Sequence, residues 1–391
     1  MTAGPIQVAT IAQLLSDETG SAGSVSHVET LCQGGAYLRR RPFRLDIGAL
    51  DTAHRAGVEQ YFASTASMLE PVRHLALLDA LVAGQGSVVT RDHFLIHESA
   101  YEFLADERVP DGLTDAGAGG FTLRSAPART IDRPTLLLKR PWNTNYGHWL
   151  VDSAAILALG AGLTLPSGWQ LAVGRQDSEA MQRIVRQTLD TIAPGIAVIE
   201  LPDDEVWRFS ELHYVSPVHV PLKFMLPAGL SALRALVLRE SLVDDRPRHG
   251  IYVTRGDHGA RRLRNEDQVI ALCREFGLEV VQPEQWPLAE QARRFHRADL
   301  VVGVKGAALT NALFCSGRTH LVVLSPGDFP DPFYWDLTAP AGVAYSEIFG
   351  VLQGRDRPIG HNAFTAPIDG LRAILEACVA DLAKTEERSW Q

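Results

Sequence analysis

Cysteine is scarce in this chain and scattered. Its 391 residues include four, Cys32, Cys273, Cys315 and Cys378, with no Cys-x-x-Cys and no histidine at metal spacing beside them. That pattern excludes a disulfide scaffold and a zinc ribbon, and it fits packed thiols in a reducing compartment. Long apolar runs are missing as well. The most apolar stretch, residues 153–165, is shorter than the roughly 20 residues a membrane span needs, and Asp152 precedes it directly. The N-terminus has neither the basic region nor the apolar core of a signal peptide. A cytoplasmic protein is expected. Peripheral membrane association stays open, although no basic amphipathic helix argues for it. Excess positive charge is absent too: the formal net charge is -9. A general nucleic-acid binder would carry a basic face, so no nucleic-acid partner is expected. A local basic site for an anion is still allowed.

What is present is an ordinary globular composition, 46% apolar and 21% charged. At about 100–200 residues per domain the length predicts two domains. The polar, proline-containing run Asp244-Asp245-Arg246-Pro247 is the best linker, which divides the chain into 1–244 and 245–391. Residues 1–130 give few signals beyond a hairpin, Val88-Val89-Thr90 and Phe94-Leu95-Ile96 around Arg91-Asp92, and a small-residue loop at 115–120. From Pro134 strands and helices alternate. Strands are predicted at 135–139, 169–173, 196–201 and 212–215, with helices at about 146–159 and at 178–192, where Ser178 is the N-cap. A second set follows: strands at 250–254, 278–282, 300–303 and 320–324, helices at 265–276, 288–297 and 307–314, and a helical tail at about 368–384. Such alternation predicts an α/β fold with parallel, Rossmann-like sheets.

In an open parallel sheet, ligands bind beyond the carboxyl ends of the strands. That rule selects Arg255, Glu284, Lys305 and Ser325 from the second set. Gly303 and Gly306 allow a tight turn and close backbone approach. Ala307 then opens a helix, whose free N–H groups beside a lysine make an anion site. Thr310 and Asn311 add neutral hydrogen bonds. Arg261, Arg262 and Asn265 lie between strand and helix, and arginine forks suit a diphosphate. A solvated charge run and a plain strand–helix turn are the bland readings of the same residues. In the first set, Asn143-Thr-Asn145-Tyr146-Gly-His148-Trp149-Leu-Val-Asp152 runs from a strand into a helix. His148 and Asp152 are four apart, so they share a helix face. A carboxylate that orients an imidazole makes a general base; the spacing equally suits a structural hydrogen bond. Asn143, Asn145, Tyr146 and Trp149 are candidates for an acceptor, with Trp142, Tyr146 and Trp149 able to stack on a sugar ring or simply pack. No Asp-x-Asp occurs; the nearest approach is Asp203-Asp204-Glu205. Charge neutralisation by arginine, lysine and a helix end is therefore favoured over a metal, and no cofactor is expected.

These motifs, in this order, resemble the family 61 glycosyltransferases. The resemblance rests on Ile251-Tyr-Val-Thr-Arg255, Arg261-Arg262, Asn265-Glu266, Glu290-Gln291, Ala298, Gly303, Gly306-Ala-Ala-Leu-Thr-Asn311 and Phe314, together with Asn145-Tyr-Gly-His148 and Asp152. It covers about residues 134–330. It implies a GT-B fold, two Rossmann-like domains facing a central cleft. It also implies inverting, metal-independent transfer from a nucleoside diphosphate sugar, a UDP-sugar by preference, to a glycan or lipid-linked acceptor, as in bacterial polysaccharide assembly. The chain departs from the family in two places. Lys305 stands where the family usually has histidine, and Leu324-Ser325-Pro326 stands where an acidic residue often faces a ribose. Two other readings remain: a non-catalytic nucleotide- or glycan-binding protein on the same frame, and a nicotinamide-dependent oxidoreductase. The second lacks a Gly-x-Gly-x-x-Gly to open its first strand–helix unit.

Overall fold

A computed structural model describes residues 5–16, 23–239, 249–256 and 259–389. The expected linker, Asp244 to Pro247, lies outside the described residues. The chain forms two compact units, one of Met1–Gly35 with Leu69–Val220, the other of Ala36–Met68 with Pro221–Gln391. This differs from a single division at 244/245, because an early segment joins the second unit.

The first unit is built on a mixed ten-stranded sheet. Six of its strands are β1 (Val25–Cys32), β2 (Val72–Ala83), β3 (Thr135–Leu137), β4 (Gln170–Gly174), β5 (Val198–Leu201) and β6 (Trp207–Val215). β1 and β6 both pair antiparallel with β2, while β6, β3, β4 and β5 run parallel to one another. Every residue of β4 is buried, as a parallel strand covered on both faces requires. Between β4 and β5 lies α1 (Glu179–Ile192), with the Ser178 hydroxyl capping Met181 N at 3.1 Å, as its sequence predicts. β6 begins at Trp207, five residues earlier than predicted. The expected loop at 115–120 is instead the tip of an antiparallel hairpin, Leu113–Gly117 with Gly120–Leu123. Ala118 and Gly119 both adopt positive φ, the geometry of a two-residue hairpin turn.

The predicted helix at 146–159 is composite. It starts as α-helix at Tyr146–His148, widens to a π-turn at Trp149–Ala154, returns to α at Ala155–Ala158 and ends as 3-10. Asn145 starts it, accepting from Gly147 N at 2.8 Å. π-turns inside helices are frequent at functional sites, and this one contains Asp152.

The second unit is a parallel sheet with β7 (His249–Val253), α2 (Glu266–Glu275), β8 (Leu278–Val281), α3 (Leu288–Arg297), β9 (Ala298–Val304), β10 (His320–Pro326), β11 (Ala344–Leu352) and α4 (Ile368–Ser389) in chain order. The strands lie in the order β8-β7-β9-β10-β11. The order reverses between β7 and β9, so their carboxyl ends flank the switch point where such sheets take ligands. Residues 307–314 form a 3-10 helix rather than an α-helix. Its apolar core joins Val302, Val304, Val322, Leu324 and Ile348 of the strands to Val269, Leu272 and Leu375 of the helices.

Sequence reading missed β11 and the strand Arg44–Asp46, which adds parallel to it. The same early segment is fastened by Arg39. Its guanidinium, 3% exposed, meets Asp336 at 2.7 Å, donates to the Tyr61 hydroxyl at 2.9 Å and lies over Trp335. Removing one member of a buried pair strands the other charge. Arg39→Ala is therefore expected to lower unfolding free energy by about 3–5 kcal/mol in urea titration. A loss under about 1 kcal/mol, the size of an exposed pair, would show that this pair does not hold the segment.

Candidate active site

The first unit gathers two imidazoles on one carboxylate. His148 Nδ1 lies 2.8 Å from Asp152 Oδ2, and His219 Nδ1 lies 2.8 Å from Asp152 Oδ1. An ionised carboxylate only accepts, so each ring donates from Nδ1; when a ring is neutral its lone pair is on Nε2. The His148 side chain is 29% exposed, against 12% for Asp152 and 7% for His219. Burial alone would raise the Asp152 carboxyl. The charge of His219 and the hydrogen bonds from both rings outweigh it and hold the group well below its usual value. Glu102 has the opposite environment. Burial first, then the charge of Asp152, raises its carboxyl, while His148 and His219 pull it down. Trp142, at positive φ and 44% exposed, donates its indole N–H to Glu102.

At the switch point of the second unit, two arginines come together. Arg255 follows β7, and its Nη1 donates to the Lys305 carbonyl at 2.9 Å. Gly306 makes that approach feasible: a Cβ there would meet Arg255 Nη1 at 1.6 Å. Tyr334 hydroxyl donates to Gly306 O at 2.6 Å. Arg261, held at positive φ, places its guanidinium over the Phe329 ring at 5.3 Å. Burial, then the charge of Arg261, pushes the Arg255 guanidinium below its ordinary value. Burial lowers Arg261 as well. Both Nε atoms are buried without a hydrogen-bond partner. Among the described residues neither arginine has a carboxylate at ion-pair distance.

Residues 146–322 match the family model Glycosyltransferase 61. This segment is a family 61 glycosyltransferase domain. No curated protein matches the chain by sequence. Among solved structures it is similar to the dodecameric iron-containing heptosyltransferase TibC in complex with ADP-D-beta-D-heptose. That likeness has 12% identity and a TM-score of 0.30 over 82% of this chain and 94% of that one. TibC from enterotoxigenic E. coli H10407 gives 12% identity and a TM-score of 0.31, over 82% of this chain and 97% of that one. Likenesses this weak carry no argument about chemistry.

The glycosyltransferase places the predicted residues unevenly. His148 and Asp152 meet as their spacing anticipated. Arg255, Arg261 and Gly306 come together, with Ala307 half-buried at the start of the next turn; Arg262 and Glu284 are exposed. Lys305 does not face solvent. Its ammonium, 2% exposed, pairs with Glu347 at 2.8 Å and donates to the Asp331 carbonyl at 2.6 Å. Ser325 donates to the same Glu347 at 2.5 Å. Thr310 and Asn311 are buried, the latter donating to Gln291 at 2.7 Å. Asn265 grips the Ala366 backbone through both ends of its amide, at 2.9 and 3.0 Å. On the acceptor side, Trp149 is fully buried and donates to Thr188 at 3.1 Å, so it packs and stacks on no sugar. Asn143 is buried against Gly174, where a Cβ would meet its amide at 2.2 Å. Asn145 is exposed and caps the helix, and Tyr146 is half-buried beside it.

Sequence reading missed His219 and Glu102. His219 is 67 residues from Asp152, so no local spacing reveals it. It does follow β6, and the strand-end rule extended to that strand finds it.

Two outcomes follow from this geometry. Lys305→Ala should destabilise the fold by about 3–5 kcal/mol in urea titration, because it leaves Glu347 buried and unpaired. Asp152 has a folded value below its unfolded 3.8, so its stabilisation is full above that pH and fades as pH falls beneath it. Asp152→Asn should therefore be less stable than wild type at neutral pH. The gap should close on acidification below about pH 4, measured as urea midpoint against pH.

Proposed function

We propose that the enzyme is an inverting, metal-independent glycosyltransferase of GT-B type that uses a nucleoside diphosphate sugar. The second unit binds the donor, and the first supplies the base and the acceptor side. The observation that carries this reading is the Arg255–Arg261 pair at the switch point, two half-buried cations with no carboxylate at ion-pair distance among the described residues. Like charges desolvated together are costly unless an anion completes the site. A diphosphate fits, since guanidinium forks pair phosphate oxygens and Gly306 leaves backbone close at hand. Arg262 and Glu284, exposed near the same strand ends, extend this rim. The preference for UDP comes from the family resemblance.

In this reaction His148 Nε2 takes the acceptor hydroxyl proton as that oxygen attacks the anomeric carbon from the face opposite the leaving group. The bond from carbon to the diphosphate oxygen breaks, and its electron pair leaves with the diphosphate. Arg255 and Arg261 stabilise that charge as it develops. Asp152 orients His148, and His219 holds the other carboxylate oxygen, which fixes the pair. Trp142, exposed and strained, is the aromatic surface for a sugar ring, with Tyr146 beside it. The acceptor is a glycan or lipid-linked hydroxyl of cytoplasmic polysaccharide assembly.

Donor hydrolysis and nucleotide binding across UDP-, GDP- and CDP-sugars test the proposal. Arg255→Ala with Arg261→Ala should weaken nucleotide binding at least about tenfold, while His148→Ala should leave binding intact and cut turnover about 10²–10⁴-fold. Unchanged nucleotide affinity in the arginine variant removes the donor site from this rim. Binding without turnover of any sugar in wild type replaces the enzyme with a nucleotide-binding protein.

A further inference from the structure

A second cluster of histidines lies on the first unit's sheet, made of residues not used above. Glu29 of β1 sits directly across from His74 of β2, and His27 is two residues back on the same strand face. His213 and Glu211, two apart on β6, continue the cluster across the other edge of β2. His74 Nδ1 is 2.8 Å from Glu29 Oε1, and His27 Nε2 is 3.7 Å from Glu29 Oε2. Ligand atoms of these three residues all fall within 4.8 Å of one another. Thr164 orients the carboxylate, donating from its N and its hydroxyl at 2.9 Å each.

The proton count of this network does not close on its own. Glu29 accepts, so His74 must carry hydrogen on Nδ1. Glu211 accepts from His213 Nε2 at 3.1 Å, so His213 must carry hydrogen there. Each neutral ring has one N–H, and both are then used. Yet His74 Nε2 and His213 Nδ1 face each other at 2.9 Å, a distance that needs a hydrogen between them. Both rings are buried, at 0% and 2% exposed.

We propose that His27, Glu29 and His74 bind a first-row divalent cation such as Zn²⁺, with His213 and Glu211 as its outer shell. A cation on His74 Nδ1 moves that ring's hydrogen to Nε2. His74 then donates to His213, and His213 donates to Glu211, with both rings neutral. Ligating histidines regularly pass their other N–H to such a partner. Spacing agrees. Bonds of about 2.0–2.1 Å put neighbouring ligands about 2.9 Å apart at right angles and about 3.4 Å apart in a tetrahedron. His74 Nδ1 lies 2.8 Å from Glu29 Oε1 and His27 Nε2 3.7 Å from Glu29 Oε2, separations that bracket those values with the carboxylate offering an oxygen to each side. Imidazole with carboxylate suits zinc and its neighbours rather than magnesium or calcium. His27, with 44% of its side chain exposed, opens the entry path and leaves coordination positions for water. The cation would pin β1 to β2 and take no part in sugar transfer, so this proposal stands apart from the reading above.

The test is a Zn²⁺ titration of the full chain, stripped by chelator and dialysed, in competition with a chromophoric chelator. One zinc per chain is expected. His27→Ala and Glu29→Gln, both at partly exposed positions, should each weaken binding at least about tenfold. His361→Ala, on the second unit, should leave it unchanged. Circular dichroism of each variant separates a lost site from a lost fold. Imidazole ¹⁵N spectra should show His74 changing from the Nδ1–H to the Nε2–H tautomer as zinc is added. No zinc uptake by wild type overturns the proposal. So do folded His27 and Glu29 variants that bind as wild type, or a buried imidazolium that zinc does not displace.

Discussion

The buried pairing of Lys305 with Glu347 underlies the turn that brings Arg255 and Gly306 together in the second unit. Glu347 takes the Lys305 ammonium at 2.8 Å and the hydroxyls of Ser325 and Tyr345 at 2.5 and 2.7 Å. One carboxylate thus ties the carboxyl ends of β9 and β10 to the first half of β11. With its side chain anchored downward, Lys305 presents its backbone carbonyl to Arg255. The positive charge at the edge is therefore delivered by arginine. The lysine acts as a strut beneath it. In a medium of low polarity such a strut holds only when both charges are present, which makes the turn at Gly306 stiff and its register fixed.

The sequence showed the parallel strands well, since continuous apolar runs such as Leu300-Val-Val leave little choice. It also showed what is close in sequence: the Ser178 cap, the Asn145-to-Asp152 helix start, the pairing of His148 with Asp152. It failed where a side chain's partner is distant. Lys305 reads as a free cation because Glu347 lies on a strand that had no clear signal. For Trp149 stacking and packing both stay open in sequence, because helical period does not say which aromatic faces inward. His219 and Glu102 reach Asp152 from separate elements, and the His27–Glu29–His74 cluster needs two strands in register. Such features depend on topology, which a single chain's pattern carries weakly.

The Asp152 and Arg255–Arg261 clusters also differ in how they are held. Asp152 sits in a π-turn and is gripped from both sides, so its position is over-determined by hydrogen bonds. Arg255 and Arg261 are held by packing, by one carbonyl and by an aromatic face, with their Nε atoms unpaired. The first arrangement suits a group that must keep one orientation through a proton transfer. The second suits groups that complete their bonding only when an anion arrives.

The early segment fastened by Arg39 has a consequence for synthesis. Arg39 and Asp336 are 297 residues apart in the chain. At translation rates of about 5–20 residues per second, Arg39 emerges about 15–60 s before its partner exists. During that interval residues 36–68 have an edge strand with no sheet to join, while the sheet around them in sequence is already able to assemble. The nascent chain must hold that segment aside, soluble and unpaired, and a ribosome that stalls late would leave it exposed to the wrong neighbours. For the same reason, a fragment starting at residue 221 would lack both the added strand and the guanidinium that neutralises Asp336, so the second unit cannot be obtained by trimming the chain from its front.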